Sequence, residues 1–148
     1  MERKQTALVL SIGLLWPVIM VLGWKGAYLP AMILSVLLMF AHLILGAMHE
    51  GKVDPVFLAY PILAWAALWI LSFVLSAYYA DLFRGTAPSF SILGFHPSFA
   101  WTVLTYWIGG ILTLSVGYYL LRDRWLSEET WSKFKSDIAE IRKAGGKA

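Results

Sequence analysis

The chain has 148 residues, of which 59% are hydrophobic and 14% charged, with a net charge of +3 and no cysteine. This balance lies outside the range of soluble globular domains and excludes a disulfide framework and thiolate chemistry. The basic residues form no patch interleaved with aromatic residues on a soluble fold, which argues against nucleic-acid binding.

The apolar residues are grouped in runs that are long enough to cross a membrane as helices. A run of 23 residues, for example, corresponds to about 35 Å of helix. We predict a single membrane domain over residues 1–148, built as a four-helix transmembrane bundle. The predicted spans are 7–24, 29–48, 56–80 and 99–121.

The first run begins after Arg3 and Lys4, a pattern that also occurs in signal peptides. It is longer than a typical signal core, and Gly23-Trp24-Lys25 offers no cleavage site with small residues. We therefore interpret it as a retained span. Pro17 removes a backbone hydrogen bond inside it and predicts a kink.

The second and third runs are separated by the polar turn His49–Asp54. Asp54-Pro55 has the pattern of a helix cap followed by a first helical residue. Ser72 and Ser76 are four residues apart in the third run and form a stripe of small residues with Ala80.

The connection Asp81–Ser98 is rich in phenylalanine and leucine. We expect it to lie against the membrane surface or to fold back over the bundle. A lid or docking loop for a larger partner is the alternative.

The fourth run contains a regular stripe of small residues, each four positions after the previous one: Thr105, Gly109, Thr113 and Gly117. Such a stripe allows another helix to approach closely in lipid, where burying leucine against leucine gains little. We predict that it is a helix-packing interface. Gly109-Gly110 lies in mid-span and is therefore not a nucleotide-binding loop.

The C-terminal segment is predicted to form an amphipathic cytoplasmic helix over residues 128–143, with Ser127 as its N-cap. Its apolar face consists of Trp131, Phe134, Ile138 and Ile141. Such a helix lies at the membrane interface or docks on another subunit.

The distribution of lysine and arginine predicts the orientation. Four spans place both termini on one side, and ten of the twelve basic residues fall there. The two on the other side are Lys25 and Arg84. We predict a multi-pass protein of the cytoplasmic membrane with both termini in the cytoplasm.

The predicted spans contain no Asp, Glu, Lys or Arg, so the chain alone lacks the groups that ion pathways use. No nucleophile, base and orienting group can be assembled, and no phosphate-binding loop is present. We expect no enzyme activity, no catalytic residue and no metal site.

Three histidines raise the alternative of a haem or quinone site. His42 and His49 share a helix face but are about 10 Å apart along its axis, so they cannot ligate one iron from opposite sides. His96 is predicted at the other side of the membrane. We expect His42 to be neutral and hydrogen-bonded across the bundle, with no cofactor.

The sequence as a whole favours a small accessory subunit that stabilises, orients or regulates a larger integral membrane partner, most naturally a secondary transporter. Its size and plan are similar to those of small subunits of bacterial secondary transporters, a likeness of architecture. One alternative is the membrane anchor of a respiratory or other redox complex, in which His42 or His49 contributes to a haem or quinone site. A second is a self-associating bundle.

Overall fold

A computed structural model describes residues 3–49 and 51–145 of the chain. All regular elements of these residues are helical, and four of the helices are long and apolar enough to cross a membrane, which confirms the all-helical bundle. The long helices are α1 (Arg3–Trp24), α2 (Tyr28–Ala47), α3 (Pro55–Leu82) and α4 (Pro97–Leu120). Two shorter elements follow, α5 (Arg122–Trp125) and α6 (Glu128–Gly145). Lys147, one of the ten basic residues that predict the orientation, lies outside the described residues.

Side-chain caps set the beginnings of α3 and α4. Asp54 accepts a hydrogen bond from the backbone N–H of Phe57 at 2.9 Å, and His96 accepts one from the N–H of Ser98 at 3.2 Å. A proline follows each capping residue, at the helix position where its missing N–H costs least. The turn before α2 uses Gly26 with a positive φ of 75°, a conformation that favours glycine.

The four long helices pack mainly in chain order, α1 against α2, α2 against α3 and α3 against α4. Leu38 and Ala41 of α2 pack against Ile12 of α1. Val36 of α2 packs against Trp65 of α3, where the centre of the core lies. Since α1 meets the rest of the bundle chiefly through α2, it stands at the edge.

The backbone of α3 is interrupted near its beginning. Tyr60 has φ −137° and ψ 105°, an extended conformation inside an otherwise helical segment. The cause is Pro61, because a proline ring disfavours the helical conformation of the residue before it. In α1, by contrast, the helix continues through Pro17.

The backbone of α4 is also irregular, with wider π-helical turns over Thr102–Ile108 and Ile111–Ser115. Thr105 and Thr113 lie within these turns. Each donates its hydroxyl at 2.7 Å to the carbonyl oxygen four residues earlier. The two hydroxyls are therefore satisfied within α4 itself.

The connection between α3 and α4 folds back over the end of α3. Phe90 lies with its ring centroid 6.0 Å from that of Tyr79 and 5.8 Å from that of Phe83. The tip of the connection is a tight turn in which Leu93 has φ 54° and Gly94 has φ 79°. Leu93 is 71% exposed, so the tip presents an apolar side chain outward.

Candidate functional site

The two small-residue stripes face each other inside the chain. Thr105 and Thr113 of α4 are 7% and 5% exposed, and Ser72 of α3 is fully buried. A Cβ atom at Gly117 would lie 2.6 Å from Cβ of Pro61. The stripe of α4 is thus filled by α3 of the same chain and leaves no space for a helix of a partner.

Polar contacts join the same two helices. The hydroxyl of Ser72 donates to the carbonyl oxygen of Trp101 at 3.4 Å, and the indole Nε1 of Trp69 donates to the carbonyl oxygen of Tyr106 at 3.2 Å. The rings of Trp69 and Tyr106 also stack, with centroids 3.8 Å apart. Hydrogen bonds of this kind hold helices together in lipid, where the hydrophobic effect contributes little.

Ser76 completes this interface, since its hydroxyl lies 3.3 Å from that of Thr102. Gly109 is also close-packed, because a Cβ atom there would lie 2.9 Å from Cδ1 of Leu68. We therefore expect substitutions in either stripe to act first on the fold of this chain.

His42 does not make the hydrogen bond across the bundle that the sequence suggested. Its Nδ1 is 2.8 Å from the carbonyl oxygen of Leu38, one turn earlier in the same helix, and its side chain is exposed. The hydrogen bond is therefore within α2 and not across the bundle. The sequence could not predict this, because the rotation of α2 about its axis depends on which side chains pack against α1 and α3.

The three histidines are not brought together. His49 is exposed in the turn after α2, where its backbone pairs with Lys52. His96 is at the start of α4, at the other end of the bundle. Within residues 3–49 and 51–145, no group of three or more His, Cys, Asp or Glu side chains is arranged to hold a metal ion.

The turn between α2 and α3 carries an ion pair that the sequence analysis missed. Asp54 Oδ2 lies 3.3 Å from Nη1 of Arg124, which belongs to α5. The two residues are 70 positions apart, so only the packing of α4 on α3 brings them together. This contact connects the start of the C-terminal segment to one end of the bundle, which we call the tail end.

The pKa of Asp54 lies below its ordinary value. The hydrogen bond from the N–H of Phe57 is the largest cause of this lowering, and the charge of Arg124 adds to it. Desolvation of the carboxyl partly offsets both effects, because it raises the pKa. A carboxyl whose pKa is lower in the folded state stabilises the fold above its unfolded pKa of about 3.9. That stability is lost as the pH falls through the folded pKa.

We therefore predict an acid-dependent loss of stability at Asp54. The wild type should exceed Asp54→Asn in free energy of unfolding at about pH 6, and the difference should shrink towards about pH 3. Asparagine keeps the helix cap but neither titrates nor pairs as a charge with Arg124. Parallel denaturant titrations in detergent measure the difference, and a value independent of pH would contradict the assignment.

At the opposite end, which we call the loop end, an open groove of about 910 Å³ lies between α2 and α3. Its walls include Tyr28 and Met32 of α2 and Phe73 of α3. Arg84 lies at its mouth, where it forms a 2.7 Å ion pair with Asp81. The pair satisfies both charges, so the groove offers mainly apolar walls.

The C-terminal helix α6 packs closely against none of the other described helices. Trp131 and Phe134 are stacked with centroids 5.6 Å apart, and both are exposed, at 40% and 52%. Ile138 is half-buried and Ile141 is 65% exposed. These four residues, which we call the α6 face, form an apolar surface that the described part of the chain leaves open.

Comparison with known proteins adds no relative. No family model matches the chain, and neither the curated proteins nor the solved structures include a significant match. Its function is therefore inferred from its own surfaces.

Proposed function

We propose that the chain is a multi-pass protein of the cytoplasmic membrane, with α1 to α4 as its spans and both termini in the cytoplasm. Four helices of sufficient length and apolarity support the spans. The bias of basic residues, ten against two, supports the orientation because lysine and arginine are concentrated in cytoplasmic segments.

Within that membrane, we propose that the chain is a small accessory subunit of a larger integral membrane protein, with a secondary transporter as the partner class. The open α6 face carries this proposal. Exposed apolar side chains on the spans need no explanation, because lipid covers them. An apolar face on a helix outside the spans needs a different cover, supplied by a protein or by the membrane surface.

The charges of α6 favour a protein surface. Helices that bind anionic lipid gain much of their affinity from an excess of lysine and arginine. In α6 four basic residues are balanced by four acidic ones: Lys133, Lys135, Arg142 and Lys143 against Glu128, Glu129, Asp137 and Glu140. A helix with no net charge suits a mixed protein surface, such as the cytoplasmic side of the partner.

The accessory role also agrees with the chemistry of the spans. Between Gln5 and Leu120 the apolar helices carry no Asp, Glu, Lys or Arg except Asp81, which is at the end of α3, and His42 is their one histidine. Groups that bind ions or shuttle protons would then belong to the partner.

Affinity purification in mild detergent tests the proposal. We expect the tagged chain to retain a large polytopic membrane protein at fixed stoichiometry, with an eluate that has no visible absorption. A coloured eluate with redox subunits would contradict the accessory role and support the redox-anchor alternative. Recovery of the chain alone, as a defined oligomer, would favour self-association.

One substitution should weaken this association from the cytoplasmic side. We expect Phe134→Glu to reduce the amount of co-purified partner roughly tenfold or more, because a charge would replace an apolar anchor of the α6 face. Ser132→Glu is the matched control, since Ser132 is exposed on the other side of α6. Equal losses in both variants, or in neither, would show that the α6 face is not the contact.

A further inference from the structure

One face of α2 remains open along the whole helix. Its residues are spaced alternately four and three positions apart and therefore share a face. We call this face the α2 seam; it consists of Tyr28, Met32, Ser35, Met39, His42 and Gly46. The side chains that pack on α1 and on α3, such as Leu38 and Val36, lie on either side of it.

Five of the six seam residues are exposed, and Ser35 is half-buried. Tyr28 is 69% exposed and Met39 44%, while His42 and Gly46 are also exposed. A Cβ atom at Gly46 would meet no atom within 4 Å. From Tyr28 to Gly46 the seam is about 27 Å long, close to the thickness of the hydrocarbon core. A membrane-spanning helix of a partner would match this length.

The composition of the seam differs from that of the remaining exposed face of α2. Ser35 and Gly46 are small, which permits close approach of another helix backbone, and methionine adapts to varied surfaces. Across the helix, Leu37 is exposed to a similar degree, at 40%, and its neighbours on that face, Ile33 and Ile44, are aliphatic. That face suits lipid.

His42 determines which polar group a helix on the seam must present. A carbonyl oxygen only accepts hydrogen bonds, so the contact with Leu38 places the proton on Nδ1. In the neutral ring Nε2 is then an acceptor, and no described residue donates to it. Lipid tails cannot donate either, and an acceptor without a partner is costly in the hydrocarbon region.

We infer that a transmembrane helix of the partner lies along the α2 seam and donates a hydrogen bond to Nε2 of His42 from a neutral hydroxyl, carboxamide or indole group. The inference rests on the proposed accessory function and names its contact within the membrane. A haem, a quinol or a second copy of this chain are the competing occupants.

Site-specific photocrosslinking in native membranes tests the position of the partner. A photoreactive side chain at Met39 should form a crosslink to an integral membrane protein, whereas the same group at Leu37 should not. The two positions have similar exposure on opposite sides of one helix, so each serves as the control for the other.

The hydrogen bond is tested by substitution. We expect His42→Leu to lower the amount of co-purified partner about three- to tenfold, in the range for loss of one hydrogen bond between helices in a membrane. The fold of the chain should not change, because His42 is exposed. Leu37→Ala should leave the amount of partner unchanged.

The outcomes separate this inference from the proposed function. If the wild type retains its partner but Met39 and Leu37 crosslink equally, or His42→Leu has no effect, the inference fails and the accessory role stands. If the wild type retains no membrane protein, both fail. Crosslinks between two copies, or a Soret band that His42→Leu abolishes, would overturn the inference in favour of self-association or a haem.

Discussion

Gly117→Ala is expected to lower the free energy of unfolding by about 1–3 kcal/mol, the usual cost of overpacking a filled site. The added Cβ would lie 2.6 Å from Cβ and 3.3 Å from Cγ of Pro61. Both atoms belong to a rigid ring, next to the extended Tyr60. Neither neighbour can move aside, so α4 itself must shift away from α3.

Two other glycines provide graded controls. At Gly109 the added atom would meet Cδ1 of Leu68 at 2.9 Å, the end of a flexible side chain, so Gly109→Ala should cost less than Gly117→Ala. At Gly13 it would meet nothing within 4 Å, and Gly13→Ala should be neutral or stabilise the helix by up to about 1 kcal/mol. Denaturant titration in detergent, followed by tryptophan fluorescence, measures the series. Any other order would contradict this packing of α4 against α3.

Trp65→Ala should have the largest effect of a single substitution in the core, a loss of about 3 kcal/mol. Trp65 is fully buried between α2 and α3, and its ring centroid is 4.7 Å from that of Trp69. Truncation leaves a cavity where the two helices meet. Trp16→Ala is the matched control, because Trp16 is 54% exposed on α1 and should tolerate the change.

A second variant at the same position separates packing from polarity. The indole Nε1 of Trp65 is buried and has no hydrogen-bond partner among the described residues. Trp65→Phe removes this N–H while retaining an aromatic ring, so it should cost much less than Trp65→Ala. A cost as large as that of alanine would indicate a hydrogen bond at Nε1 that the structure does not contain.

Run lengths and residue types were sufficient to predict the helices, because a membrane span is specified by local composition. They did not predict which surfaces meet. Small residues such as Gly117 indicate how closely a neighbour approaches, but not whether it belongs to the same chain. Pro61 fills the space beside Gly117 because α3 is interrupted at Tyr60, which alters the local path of the α3 backbone.

The candidate site was only partly predictable for a similar reason. The sequence identified His42 as the one histidine of α2 but not its direction, which is set by the packing of Leu38 and Val36 on two different helices. Likewise, the ion pair of Asp54 with Arg124 joins residues 70 positions apart. Such contacts arise from the tertiary arrangement and leave no local pattern.

The packing of each long helix on the next in the chain has a consequence for biosynthesis. Each long helix packs on the long helix made just before it, so the bundle can assemble in the order of synthesis, without waiting for the C-terminus. The hairpin of α1 and α2 can pair while α4 is still being translated. Arg124 can pair with Asp54 only after all four long helices have been made, and this pair then connects the segment before α6 to the bundle.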